Sequence, residues 1–191
     1  MQEVEGGITF YLFNKEYYLT WRNLSSHLGY STKCYIDLDH ALRDFNCHEF
    51  WRMISSQNVV GKFQPQNMNI HHPTLRFMHR WIAMTLFARQ DIRFVYHAKL
   101  QILYAMLKKI KIAPLKEMFR RWLETFKAST SISYTSLVTH ITANIGALDG
   151  QDVTYISTPR IDIDEHYLMQ GHHLKYDDAG NLGFFYSGYK K

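Results

Sequence analysis

The spacing of large apolar side chains between residues 73 and 126 constrains this chain most. Leu75, Met78, Ile82 and Leu86 recur every three or four residues, with Phe77, Trp81 and Met84 beside them. That interval lines one broad side of a helix and does not fit a strand, whose faces alternate every second residue. Thr74 is predicted to cap this helix, because His72-Pro73 disfavours helical backbone just before it. So wide an apolar surface predicts a central, largely buried helix. Leu100, Leu103, Met106, Leu107 and Ile110 form a second stripe that breaks near Pro114, and Leu115, Met118, Phe119, Trp122, Leu123 and Phe126 form a third. A Ser/Thr-rich stretch, 128–133, separates the third from a fourth stripe with Leu137, Val138, Ile141 and Ile145. The expected architecture is mainly α, an antiparallel-type helical array carrying small β hairpins (α+β).

The hairpins are expected at the two ends. Ile8 to Phe13 is an apolar, aromatic run of β-prone residues, Asn14-Lys15-Glu16 is a polar turn, and Tyr17-Tyr18-Leu19 returns. Thr20 then caps a short helix through Trp21, Leu24 and Leu28 that Gly29 stops. Leu38, Ala41, Leu42 and Phe45 keep helical spacing, Phe50, Trp51 and Ile54 suggest another short apolar turn, and 56–70 is expected as a long loop. In the tail, an acidic connector from Ile161 to Glu165 precedes a hairpin whose turn is Asp177 to Asn181. The expected division is one helical domain over 1–170, including the hairpin at 8–20 and a basic centre at 71–127, followed by a C-terminal hairpin and tail over 171–191.

The chain has 191 residues, of which 46% are hydrophobic, enough for a substantial core. No run approaches the roughly 20 apolar residues of a membrane span, and the segment Met1 to Gly7 is acidic. We therefore expect an intracellular protein, nuclear or cytoplasmic, with no membrane contact. Cys34 and Cys47 are read as free thiols. The net charge of +5 is unevenly placed: −1 over 1–70, +9 over 71–127 and −3 over 128–191.

Fragments that imitate active sites have simpler readings. Tyr176-Asp177-Asp178 lacks the aromatic residue that a polymerase metal box would need at Lys175, so it reads as a turn. His48-Glu49 has no second histidine four residues after the first, and no Gly-rich phosphate loop or Gly-x-Ser-x-Gly elbow occurs. Eleven histidines, among them His71-His72, His79 and His172-His173, lack the paired cysteines and short ligand spacings of zinc sites. His79, on an apolar helix, reads as a hydrogen-bonded core or boundary residue. We expect no catalytic residues, metal, cofactor or small-molecule substrate.

The basic centre carries the functional expectation. Arg76, Arg80, Arg89 and Arg93 lie in and just after the central helix, and Lys108, Lys109, Lys111, Lys116, Arg120 and Arg121 surround the break before the third helix and the helix itself. If Lys108, Lys109 and Lys111 share a face with Lys116 and Arg120, their field attracts RNA or DNA phosphates without regard to sequence. The competing reading is that these residues are solvated helix faces, or arginine stems packed on core aromatics. Self-association through broad apolar helices is a further expectation. The N-terminal hairpin and short helix also suggest a small DNA reader, with Arg22 and His27 to reach base edges.

The segment from His72 to Arg89, HPTLRFMHRWIAMTLFAR, resembles the signature block of proteins encoded by plant Athila-type long-terminal-repeat retrotransposons, the first-open-reading-frame family of Arabidopsis and its relatives. Ile8-Thr9-Phe10 with Leu19-Thr20, Leu24 to Gly29, Ile102 to Met106, and Val138-Thr139 with Ile161-Asp162-Ile163 agree in order, so the resemblance covers about residues 8–170. It implies a mobile-element origin, a plant host and a non-enzymatic, Gag-like product acting in particle assembly or element-RNA packaging, with no catalytic residues to carry over. The short chain, starting close to its first strand, is expected to be a piece of a longer reading frame or a degenerate copy. A DNA-binding regulator and a folded relic without function are the other expectations.

Overall fold

A computed structural model of the chain describes residues 2–58, 63–87, 92–127, 135–154 and 163–186. It is α+β, as expected from the sequence, and its contacts group the residues into two compact units. One unit takes Met1–Arg43, Leu86–Arg89 and Ala105–Thr154; the other takes Asp44–Thr85, Gln90–Tyr104 and Tyr155–Lys191.

The first unit is built on an antiparallel meander of β1 (Gln2–Val4), β2 (Gly7–Leu12) and β3 (Lys15–Thr20). β1 adds an edge strand to the expected hairpin. The turn also differs: Leu12 pairs with Lys15 across the two residues Phe13 and Asn14, both left-handed at φ 49° and 60°. A two-residue turn with both φ positive matches the twist of paired strands, and this register sets buried Ile8 opposite buried Leu19. Thr20 caps α1 (Trp21–His27) as expected, its hydroxyl accepting from the Asn23 N–H at 3.1 Å. Gly29, at φ +78°, closes that helix with paired bonds from Gly29 N–H to Ser26 O and from Tyr30 N–H to Ser25 O. Helices α6 (Leu115–Lys127) and α7 (Thr135–Asn144) complete the unit. Their Met118, Phe119, Trp122 and Ile141 form one apolar cluster with Ile8, Leu19, Trp21 and Leu24. The stretch 128–133 lies outside the described residues.

The second unit holds α3 (Cys47–Ser55), α4 (Pro73–Thr85), most of α5 (His97–Leu107), α8 (Glu165–Gln170) and the hairpin β4 (Leu174–Tyr176) to β5 (Leu182–Phe184). The four-residue α2 (Leu38–Ala41) belongs to the first unit. The expected turn around Phe50 is a full helix, α3, because Asn46 caps it by accepting from the His48 and Glu49 N–H groups. Helix α8 was not expected; Asp164, at the end of the acidic connector, caps it by accepting from Tyr167 N–H at 2.7 Å. The loop expected over 56–70 contains a 3₁₀ turn, Asn67–Asn69, beside a bridge from Gln66 to Phe94. Asp177 organises the terminal turn, its carboxylate accepting from the Ala179 and Asn181 N–H groups.

Helix α4 departs most from expectation. It begins at Pro73, one residue before Thr74, and the ring Nδ1 of His72 accepts from the Thr74 N–H at 3.2 Å. Proline suits a first helical position, so the histidine before it takes the capping role. The most buried line is Arg76, His79, Ile82 and Ala83, while Trp81 and Met84 are exposed. Arg76 turns the helix this way. The residue is 2% exposed; Nη1 donates to the Ile70 and His71 carbonyls at 2.8 and 3.1 Å, and Nη2 to the carbonyls of His172, at 3.1 Å, and Phe185. One cation thus joins the lead-in of α4 to both ends of the C-terminal hairpin. His173, also buried, sends Nδ1–H to the Pro73 carbonyl at 3.3 Å and packs its ring edge-on to Phe77.

Because a lysine ammonium cannot span two pairs of carbonyls, Arg76→Lys is expected to destabilise the fold by about 3 kcal/mol or more in chemical denaturation. It should also make 171–186 the first segment cut in limited proteolysis; unchanged stability would refute the staple.

A pH dependence follows from His79, which is fully buried and, among the described residues, has neither ring nitrogen in a hydrogen bond of normal geometry. Burial first, and the Lys99 charge second, lower its pKa to about 3, against an opposing contribution from the Phe94 carbonyl. The unfolded chain therefore binds the extra proton between about pH 6.5 and pH 3, so stability is full above that window and falls through it on acidification. His79→Gln should flatten this acid limb in denaturation midpoints measured against pH.

Candidate nucleic-acid interface

The described members of the ten basic residues divide between the two units, Arg76, Arg80 and Arg93 in the second and the other six in the first. Arg89 lies outside the described residues. In the second unit, Arg76 is committed to carbonyls, and burial lowers its pKa without removing its charge. Its place in the interior answers the expectation of a phosphate contact: a guanidinium closed over by backbone cannot reach a phosphate. Arg80 is half-buried with its guanidinium 4.9 Å from the centre of the Tyr167 ring, the arrangement of a stem packed on an aromatic. Arg93 is exposed, 5.7 Å from the Phe94 ring.

The first unit holds the other six. Lys108, Lys109 and Lys111 are exposed on the turn that leaves α5. This turn is closed by Lys109 N–H to Met106 O and Ile110 N–H to Ala105 O, with Lys109 left-handed at φ 56° in the position that usually holds glycine. Beyond it, Ile112 forms a parallel bridge with Tyr35, whose N–H donates to Lys111 O at 2.9 Å and whose carbonyl accepts from Ala113 N–H at 2.8 Å. The backbone carrying these lysines is therefore fixed at both ends while their side chains stay in solvent.

On α6 the cations are partly neutralised. Arg120 pairs with Glu117 at 2.6 Å and Arg121 with Glu124 at 2.5 Å, each three residues along the helix. Lys116 reaches Asp37 at 3.5 Å. The His40 N–H first, with help from Lys116, holds the Asp37 carboxyl below its usual range. The segment 35–37 thus touches the Lys111 backbone on one side and Lys116 on the other. Lys109 and Lys111 have no carboxylate partner among the described residues. The Glu117 and Glu124 pairs were readable from spacing; Asp37, 79 positions from Lys116, was not.

In the N-terminal element, Arg22 is exposed and His27 half-buried, its carbonyl accepting from Asn144. Among the described residues no three His, Cys, Asp or Glu side chains gather as metal ligands, and no helix is long and apolar enough to cross a membrane. His72, His172 and His173 are engaged instead in the α4 cap and the staple described above. Cys34 and Cys47 are free thiols.

Lys109→Gly removes one cation and a left-handed side chain together, so thermal unfolding should show stability unchanged or raised by up to about 1 kcal/mol. A marked loss would show that the lysine itself supports the turn.

The model of the ATHILA ORF-1 family matches residues 1–116, which include the 72–89 string and the Lys108–Lys111 turn. The strings at 138–139 and 161–163 lie beyond the match. No curated protein and no solved structure matches the chain. With more than half of its length matched, the chain belongs to the ATHILA ORF-1 family and is a retrotransposon-derived protein.

Proposed function

We propose that the protein is a non-enzymatic, Gag-like component of its element that binds element RNA without sequence selectivity and takes part in assembly. The observation that supports RNA contact most is the turn at 108–111. It presents exposed cations on backbone held by hydrogen bonds to α5 and to Tyr35, and Lys109 and Lys111 have no carboxylate partner among the described residues. Exposed lysines on a held backbone suit a single strand, whose phosphates take the charges. The ion pairs on α6 reduce that helix to a secondary contribution, since each arginine already has a carboxylate. Arg22 on α1 is a lone exposed cation on a helix whose Trp21, Leu24 and Ser25 side faces the core, which favours the RNA reading over the DNA reader.

The test is fluorescence anisotropy with a single-stranded RNA over a salt series. The expected result is affinity that falls steeply with salt, equal for scrambled sequences. The double variant Lys109→Gly, Lys111→Ala should lower the slope of log affinity against log salt by about 1.4, two phosphates at about 0.7 each. Absent or salt-independent binding at low ionic strength would overturn the RNA reading, and a preference for one duplex sequence would favour the DNA reader.

A further inference from the structure

The hairpin of the first unit carries a projection and a recess side by side. At its tip, Phe13 is 53% exposed and held left-handed at φ 49°, where Asn or Gly is ordinary and a bulky aromatic is strained. Next to it a cavity of about 230 Å³ opens between the hairpin and helices α6 and α7, lined by Ile8, Phe10, Leu12, Phe119, Val138 and Ile141 among others. Leu12, on the rim of the recess, immediately precedes Phe13.

We propose that two copies of the chain associate about a two-fold axis beside this hairpin, each placing Phe13 in the recess of the other. A two-fold contact requires one patch to be complementary to itself, and a projection adjacent to a recess on the same element meets that requirement. Charge does not oppose it: Lys15, on the face of Leu12 and 5.2 Å from the Tyr17 ring, and Glu16, on the other face, cancel, so the hairpin brings no net repulsion. The contact also accounts for the strained aromatic, which makes no ring contact within its own chain among the described residues. This inference deepens the assembly side of the proposed function. It stands or falls separately from RNA contact, because Lys109 and Lys111 take no part in it.

The experiment is sedimentation velocity of the full chain over a wide concentration range, with two variants. Wild type is expected to show a monomer–dimer equilibrium. Phe13→Gly should weaken association at least about ten-fold, the effect of losing one buried phenyl per recess, while its thermal midpoint stays level or rises because glycine suits the turn. Val138→Glu, on the exposed rim, should also abolish dimers. Mixing the two variants should restore a weak heterodimer, since the intact Phe13 of one meets the intact recess of the other. A wild-type chain that stays monomeric at every concentration, association that survives Phe13→Gly, or a mixture that shows no heterodimer would each overturn the proposal.

Discussion

The Arg76 guanidinium is the interaction on which the second unit depends. Its two terminal nitrogens hold four carbonyls, two from residues 70 and 71 and two from residues 172 and 185, so it ties together chain segments about a hundred positions apart. A charge this deeply buried is tolerable only because the carbonyl dipoles replace its water. Local support in the hairpin of β4 and β5 is limited to the Asp177 turn and the pairing of two three-residue strands, and β5 is exposed. His173 repeats the arrangement on a smaller scale. Burial first, and the nearby Arg76 and Arg80 charges as well, lower its pKa, and its neutral ring gives one N–H to the Pro73 carbonyl.

That arrangement commits several charged and polar side chains of the most recognisable string in the sequence to contacts within the protein. Residues 72–89 contain Arg76, Arg80 and Arg89, which a charge count treats as part of a basic patch, and the histidines His72 and His79. In the fold, His72 caps α4, Arg76 staples the tail, His79 is sealed in the interior and Arg80 lies over Tyr167. Exposed cations on a held backbone, without carboxylate partners among the described residues, occur at Lys109 and Lys111, in the other unit. The same residue types serve opposite purposes according to whether carbonyls or water surround them.

Much of the helical pattern was legible. The stripes at 100–110 and 115–126 correspond to α5 and α6, and the Thr20 cap and Gly29 stop bound α1 as read. These features depend on side chains within a few residues of one another, so period and capping chemistry suffice. The errors share a cause. Placing the hairpin turn at Asn14-Lys15-Glu16 followed polarity, whereas the register that buries Ile8 and Leu19 puts Phe13 into the turn. The short helices α3 and α8 span too few turns for a period to fix their bounds, and their starts are set by the caps Asn46 and Asp164.

The α+β class, the positions of the longer helices and the family can be read from the residues alone, since all three are carried by local periodicity and by strings read in order. Which cations are left in solvent is settled by folding. A lysine or arginine has the same formal charge in any listing of residues, but its capacity to meet a phosphate depends on what lies within a few ångströms of it. For Arg76 that is four carbonyls from distant segments, for Lys116 an aspartate 79 positions away, and for Lys109 and Lys111 solvent. Those neighbours are brought together by folding, and no spacing along the chain encodes them.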